Sequence, residues 1–164
     1  ARIVVTRSAQ VQALCKAQGV PVLLHALPGR NDTVRLGLSA LLAQHPELTG
    51  CMFLPGDQPL LRRATVDQLL TAFAQTQKET ERVIFRLGAP AGNGPDPLVG
   101  SPVLFSNGFF PELLTLPEGK GGSVLLHKYP TLVHTACIAQ PEELADTDTP
   151  AALAQLEALV REKG

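Results

Sequence analysis

Apolar and polar positions along this chain alternate between two periods. Residues 2–6 form a short β-branched run that reads as a strand, and residues 20–25 read as a second. Between them, Val11, Leu14 and Cys15 follow the i, i+3, i+4 spacing of an amphipathic helix, with Ser8 placed to cap it and Gly19 to stop it. Residues 28–31 read as a loop. Asn31 or Asp32 then caps a helix carrying Val34, Leu38, Leu41 and Leu42 on one side. Residues 51–54 are a short continuous apolar run, as in a strand buried on both faces. The run ends at Pro55-Gly56-Asp57-Gln58-Pro59, a loop that no regular element continues through. Thr65-Val66-Asp67-Gln68 has the form of a capping box and opens a helix to about residue 75. Further strands are expected at 82–85, 101–105 and 131–138, and short helices at 107–114 and 123–128. The Gly- and Pro-rich stretch 87–99 reads as an irregular loop, not a linker to a second core. Thr149 as N-cap, with Pro150 at the first helical position, opens a last helix to about residue 162. The alternation predicts one α/β domain over residues 1–164, with a mostly parallel sheet and right-handed crossovers. The later strands leave room for an antiparallel pairing.

Composition narrows the function classes. The 164 residues suit one domain with a sizeable core. Hydrophobic residues make up 45%, which excludes a mostly disordered chain. Fourteen Lys and Arg against fifteen Asp and Glu give a net charge of −1, so no basic excess exists to neutralise a nucleic-acid backbone. No apolar run is long enough to span a bilayer, and no signal peptide pattern is visible, so no membrane partner is expected. Cys15, Cys51 and Cys137 lie far apart without C-x-x-C spacing and read as reduced, buried thiols of a cytoplasmic protein. The opening Ala1-Arg2-Ile3-Val4-Val5 already lies inside a strand pattern, which suggests a chain lacking its N-terminal segment.

Candidate chemistry concentrates in two acidic stretches. In open parallel sheets ligands bind beyond the carboxyl ends of the strands, and Asp57 lies three residues past the run 51–54. A hard oxygen there, in a loop fixed by two prolines, suits Mg²⁺, which takes one or two carboxylates plus substrate phosphates. A plain Asp-containing turn is the alternative. The second stretch is Asp146-Thr147-Asp148-Thr149-Pro150, where two carboxylates precede a helix N-terminus. They serve either as capping and dipole-neutralising charges or as ligands to the same metal as Asp57. In the loop before the second helix, Arg30 or Asn31 is a candidate substrate contact, and Arg35 reads as either a phosphate contact or a solvated helix residue. Lys120, in the glycine turn 119–122, carries the same two readings. His25 and His134 read as core or edge histidines, His45 and His127 as surface residues, and no pair has zinc spacing. The one serine motif, Gly-Gly-Ser, lacks a nucleophile-elbow pattern, so hydrolase chemistry is discarded.

Four ordered stretches resemble the MobA-like NTP transferases, most of all the molybdenum cofactor cytidylyltransferases. They are Cys-Met-Phe-Leu-Pro-Gly-Asp-Gln-Pro-Leu-Leu (51–61), Gly-Ser-Pro-Val-Leu-Phe (100–105), Leu-Pro-Glu-Gly-Lys-Gly-Gly (116–122) and Asp-Thr-Asp-Thr-Pro (146–150). The last looks more like the cytidylyl than the guanylyl branch. The resemblance implies a nucleotide-diphospho-sugar-transferase-like fold of the GT-A/Rossmann-like kind, with helices on both faces of the sheet and the N-terminal strand missing. It implies transfer of CMP from CTP to molybdopterin with release of pyrophosphate. Asp57 would hold Mg²⁺, completed by Asp146 or Asp148, while Gly100 and Pro102 would shape the substrate-side pocket and Gly121 would belong to another loop near it. Two departures stand out. The family's N-terminal glycine-rich phosphate loop and its Lys are not in this chain, so this piece alone is expected to bind nucleotide poorly. Ser123 stands where the family carries a basic residue. Residues 28–38 resemble instead the Arg-x-x-Ser-Val pattern of cytidylyltransferases of isoprenoid synthesis. Transfer to another small phosphate acceptor is therefore one alternative. A non-catalytic factor delivering cofactor to a molybdenum hydroxylase is the other.

Overall fold

A computed structural model describes residues 1–90 and 98–163. Its elements run β1 (Val4–Thr6), α1 (Ala9–Ala17), β2 (Val22–Leu24), α2 (Arg30–Gln44), β3 (Gly50–Phe53), α3 (Arg63–Thr76), β4 (Ile84–Ala89), β5 (Leu98–Ser106), α4 (Phe110–Leu114), α5 (Ser123–Lys128), β6 (Val133–Cys137) and α6 (Pro150–Lys163). Short 3₁₀ turns precede α4, β6 and α6. β1 and β2 form a parallel pair, Val4 opposite Val22. The other four strands follow the order β3-β5-β4-β6, with β4 and β6 parallel and Ile84 opposite Val133. Most of the stretch 87–99 expected as a loop lies outside the described residues. Its flanks are strand, because β4 extends to Ala89 and β5 begins at Leu98.

The chain divides into two compact units, residues 1–51 with 105–132 and residues 52–104 with 133–164. In the first, Leu38, Phe105, Phe109 and Leu113 are fully buried. Phe109 meets Phe105 and Tyr129 edge-on, with centroids 6.0 and 5.6 Å away, a favoured aromatic geometry. Gly37 lets α2 approach β1: a Cβ there would lie 2.9 Å from Val5 Cγ2. Ser8 caps α1, its Oγ accepting from the Val11 N–H at 3.3 Å. Gly19 follows the helix at φ 63°, a left-handed conformation that costs glycine nothing. The apolar face expected of α1 is not covered: Val11 is 39% and Leu14 62% exposed, and no α1 residue is buried. The two-stranded sheet beside the helix offers too little surface to cover it.

The second unit is built around Leu69 and Phe73 of α3, Val83, Phe85, Leu87 and Ala89 of the β4 region, and Leu104 and Ile138. Phe85 takes Phe73 edge-on at 6.1 Å on one side and stacks flat on His134 at 5.0 Å on the other. Among the three cysteines, all free, only Cys51 is buried. Cys15 is half-buried and Cys137 exposed at the end of β6, which corrects the expectation of three buried thiols. Burial pushes the Cys51 thiol up to about 11, because the apolar surroundings penalise the thiolate.

Truncating Phe85 to Ala should cost about 3–5 kcal/mol, the range for emptying a buried aromatic site. Urea unfolding followed by circular dichroism measures it. In the folded protein at pH 8, iodoacetamide should modify Cys137 well before Cys51, since the thiolate is the reactive form. Peptide mass spectrometry reads the order.

Candidate active site

In the first unit, the loop after β2 leads into α2, and Arg30 is the first helical residue. Neither Asn31 nor Asp32 occupies the N-cap position; Gly29 does. Asp32 sits in the first turn and reaches back, its Oδ2 accepting from the Gly29 N–H at 3.2 Å while its Oδ1 accepts from Arg35 at 2.9 Å. Arg35 is thereby half of an i, i+3 pair on the helix surface. The hydrogen bond from Arg35, then that from Gly29, holds the Asp32 carboxyl below its ordinary value, against a partial desolvation that raises it. Freed from capping, Asn31 is a link. Its Oδ1 accepts the Gly119 N–H at 2.9 Å and so joins the start of α2 to the turn that carries Lys120 and Gly121. Gly119 is at φ 69°, which glycine adopts without strain. Arg30 and Lys120 are exposed, and a Cβ at Gly121 would meet open space. Arg7, just beyond β1, donates to the Pro28 carbonyl at 3.3 Å and steadies the same loop. His25 shares a hydrogen bond of 3.2 Å with Thr33 through Nε2, and its Nδ1 is buried without a partner among the described residues.

In the second unit, the loop after β3 holds Asp57. The backbone carbonyl of Asp57 accepts from both the Thr147 N–H at 3.0 Å and the Thr147 hydroxyl at 3.2 Å. One residue on, Gln58 Nε2 donates to the Leu144 carbonyl at 3.3 Å, and Gln58 Oε1 is buried without a partner among the described residues. Further along, Glu143, only 4% exposed, accepts through Oε2 from the Arg62 N–H at 3.1 Å and from the Thr65 hydroxyl at 2.6 Å. The capping box expected at Thr65 is therefore not formed. Helix α3 starts earlier, at Arg63, with Arg62 as an N-cap that offers no side-chain acceptor, and Glu143 takes the orphan donor. Asp146 and Asp148 flank Thr147 and are exposed. Gly100 on β5 lies under Leu144, where a Cβ would make ordinary contact at 3.4 Å. Pro102 is fully buried after a cis Ser101–Pro102 bond, so its ring is part of the packing. Thr149 caps α6, its Oγ1 accepting from the Ala152 N–H at 3.1 Å, as the Thr-Pro pattern predicts.

The expected site residues thus fall into two sets. Arg30, Asn31 and Gly121 gather in the first unit. Asp57, Asp146, Asp148 and Gly100 gather in the second, joined through Thr147, Gln58 and Leu144. Among the described residues, no three His, Cys, Asp or Glu side chains form a ready-made metal cage. No helix among them is long and apolar enough to cross a membrane. Sequence reasoning missed Glu143, which sits in a 3₁₀ turn where no periodicity marks it as buried.

Several solved structures share this fold. Rv0371c from Mycobacterium tuberculosis H37Rv superposes with a TM-score of 0.73 at 24% identity, over 94% of this chain and 73% of its own. A manganese complex of the same protein gives 0.69 at 24% identity, over 94% and 74%. A 4-diphosphocytidyl-2C-methyl-D-erythritol synthase gives 0.72 at 16% identity, over 96% and 81%. The architecture is accordingly that of the nucleotide-diphospho-sugar transferases. The profile of the MobA-like NTP transferase domain matches residues 1–155, and the chain belongs to that family. No match is found among curated proteins.

Because the carboxyl of Asp32 is lowered in the folded state, its contribution to stability is complete above the ordinary carboxylate range and is lost as pH falls through the lowered value. Asp32→Asn should therefore reduce Tm at pH 6, and the difference from the parent should shrink as pH falls below the ordinary carboxylate range. A series of thermal melts across that range measures the convergence.

Proposed function

We propose that this nucleotidyltransferase transfers CMP from CTP to molybdopterin and releases pyrophosphate. The observation that carries the reading is the pairing of the Asp57 loop with the 146–148 segment through the two hydrogen bonds of Thr147. That pairing joins the two acidic motifs of the cytidylyl branch, which lie 89 residues apart in sequence at their nearest carboxylates. The donor set supports a divalent cation, Mg²⁺ in this reading, with Asp57 and one of Asp146 and Asp148 as its ligands. All three offer hard oxygens, and two carboxylates completed by substrate phosphates are what Mg²⁺ takes. When bound, the cation neutralises charge on the nucleotide phosphates. The manganese complex of Rv0371c supports a divalent cation in a protein of this fold.

In the reaction an oxygen of the molybdopterin phosphate forms a bond to the α-phosphorus of CTP, the bond from that phosphorus to the β-phosphate oxygen breaks, and pyrophosphate leaves. Positioning and charge neutralisation supply most of the rate in such a transfer. Arg30 and Lys120 are exposed cations of the first unit, and Asn31 fixes the turn that carries Lys120. The second reading keeps cytidylyl transfer but changes the acceptor to another small phosphate. Residues 28–38 favour it, since Arg30-Asn31-Asp32-Thr33-Val34 resembles the Arg-x-x-Ser-Val pattern of isoprenoid cytidylyltransferases, with Thr in place of Ser.

The test is pyrophosphate release by the full-length protein supplied with molybdopterin, Mg²⁺ and each ribonucleotide in turn. Release with CTP alone is expected. Release with CTP only when a polyol phosphate replaces molybdopterin selects the second reading. No release with any nucleotide, from folded protein, overturns both and favours the delivery factor. Asp57→Ala should lower kcat by about 10²–10³-fold or more, the scale for losing one electrostatic contact to the transition state. Its circular dichroism should be unchanged.

A further inference from the structure

We propose that Glu143 is a positioning residue for the divalent-cation site: its buried carboxylate pins the 143–147 segment to the start of α3 and so sets where Asp146 and Asp148 stand relative to Asp57. The inference rests on the metal reading above and goes beyond it, because Glu143 is not a ligand in that reading.

Three successive ties join the two stretches. Glu143 accepts from Arg62 and Thr65, the Leu144 carbonyl accepts from Gln58, and Thr147 donates twice to the Asp57 carbonyl. The outer tie is unusual in cost. A carboxylate that is 4% exposed has given up most of its hydration, and its partners are one amide N–H and one hydroxyl. A Ser, Thr or Asp at position 62 would cap α3 locally without burying a charge from 81 residues away. What the distant carboxylate adds is register. Only two residues separate Glu143 from Asp146, so a shift of Glu143 off the α3 N-terminus carries the carboxylates with it. Partners that orient metal ligands from behind typically change metal affinity about 10–100-fold when lost.

The test is Mn²⁺ binding, followed by electron paramagnetic resonance of the free ion, in the full chain. Four variants, Glu143→Gln, Thr147→Val, Asp57→Ala and Phe73→Leu, are compared at a temperature where circular dichroism shows each folded. Glu143→Gln and Thr147→Val should each raise the Mn²⁺ Kd about tenfold. Phe73→Leu, which loosens the same core away from these ties, should leave Kd unchanged. An unchanged Kd in Glu143→Gln, with binding lost in Asp57→Ala, overturns the positioning role and leaves the metal reading intact. Equal weakening in Phe73→Leu also overturns it, by assigning the effect to general stability. Unchanged binding in Asp57→Ala removes the metal reading itself. Should Glu143→Gln fail to fold, Thr65→Val, which removes the hydroxyl donor to the same carboxylate, carries the comparison with the same expected and overturning outcomes.

Discussion

A single backbone carbonyl, that of Asp57, organises the acidic chemistry of this protein. It accepts two hydrogen bonds from one residue, Thr147, and thereby fixes a proline-bounded loop to the segment that opens α6. Each such bond contributes only about 0.5–1.5 kcal/mol net. Ordering each backbone residue costs about 1–2 kcal/mol. Two bonds alone would not hold two irregular segments together. They are supplemented by the Gln58 tie and by the buried Glu143 carboxylate, and Leu144, next to Glu143, packs against the core of the second unit.

The elements legible in the sequence were those whose signals are local. Ser8, Gly19 and the Thr149-Pro150 pair each act on the next few backbone groups, and each does in the structure what its residue type dictates. The run 51–54 is legible as a strand, but not as one buried on both faces: of β3 only Cys51 is buried, and Leu54, past its end, is 53% exposed. Where the signal was shared between distant residues, reading failed. Thr65-x-x-Gln68 has the composition of a capping box, yet Thr65 lies inside the first turn of α3 and its hydroxyl donates to the distant Glu143. Periodicity placed Val11 and Leu14 on an inner face, but a helix face is buried only if a neighbouring sheet is wide enough to receive it. Cys137 ends an alternating strand, and alternation alone does not say which side is covered.

The candidate site was legible to a similar extent. The spacing of Asp57 from its strand and the Asp-x-Asp-Thr-Pro form named the acidic residues, and hydrogen bonds join their segments. Arg30 or Asn31 is the candidate substrate contact of the α2 loop, and the structure adds that the Asn31 side-chain oxygen also ties that loop to Gly119. That tie joins residues 88 positions apart, and no local pattern announces it.

The charge of these groups argues for metal dependence independently of any resemblance. Asp57, Asp146 and Asp148 bring up to three negative charges to one pair of joined loops, and a nucleotide triphosphate brings several more. Under the proposed function, a divalent cation between these carboxylates and the nucleotide phosphates offsets the repulsion of their like charges. In that reading the geometry that matters is the separation between the two loops, which the Thr147 bonds and the Glu143 anchor hold; the rigidity of the ladder would then be a condition of metal affinity as much as of stability.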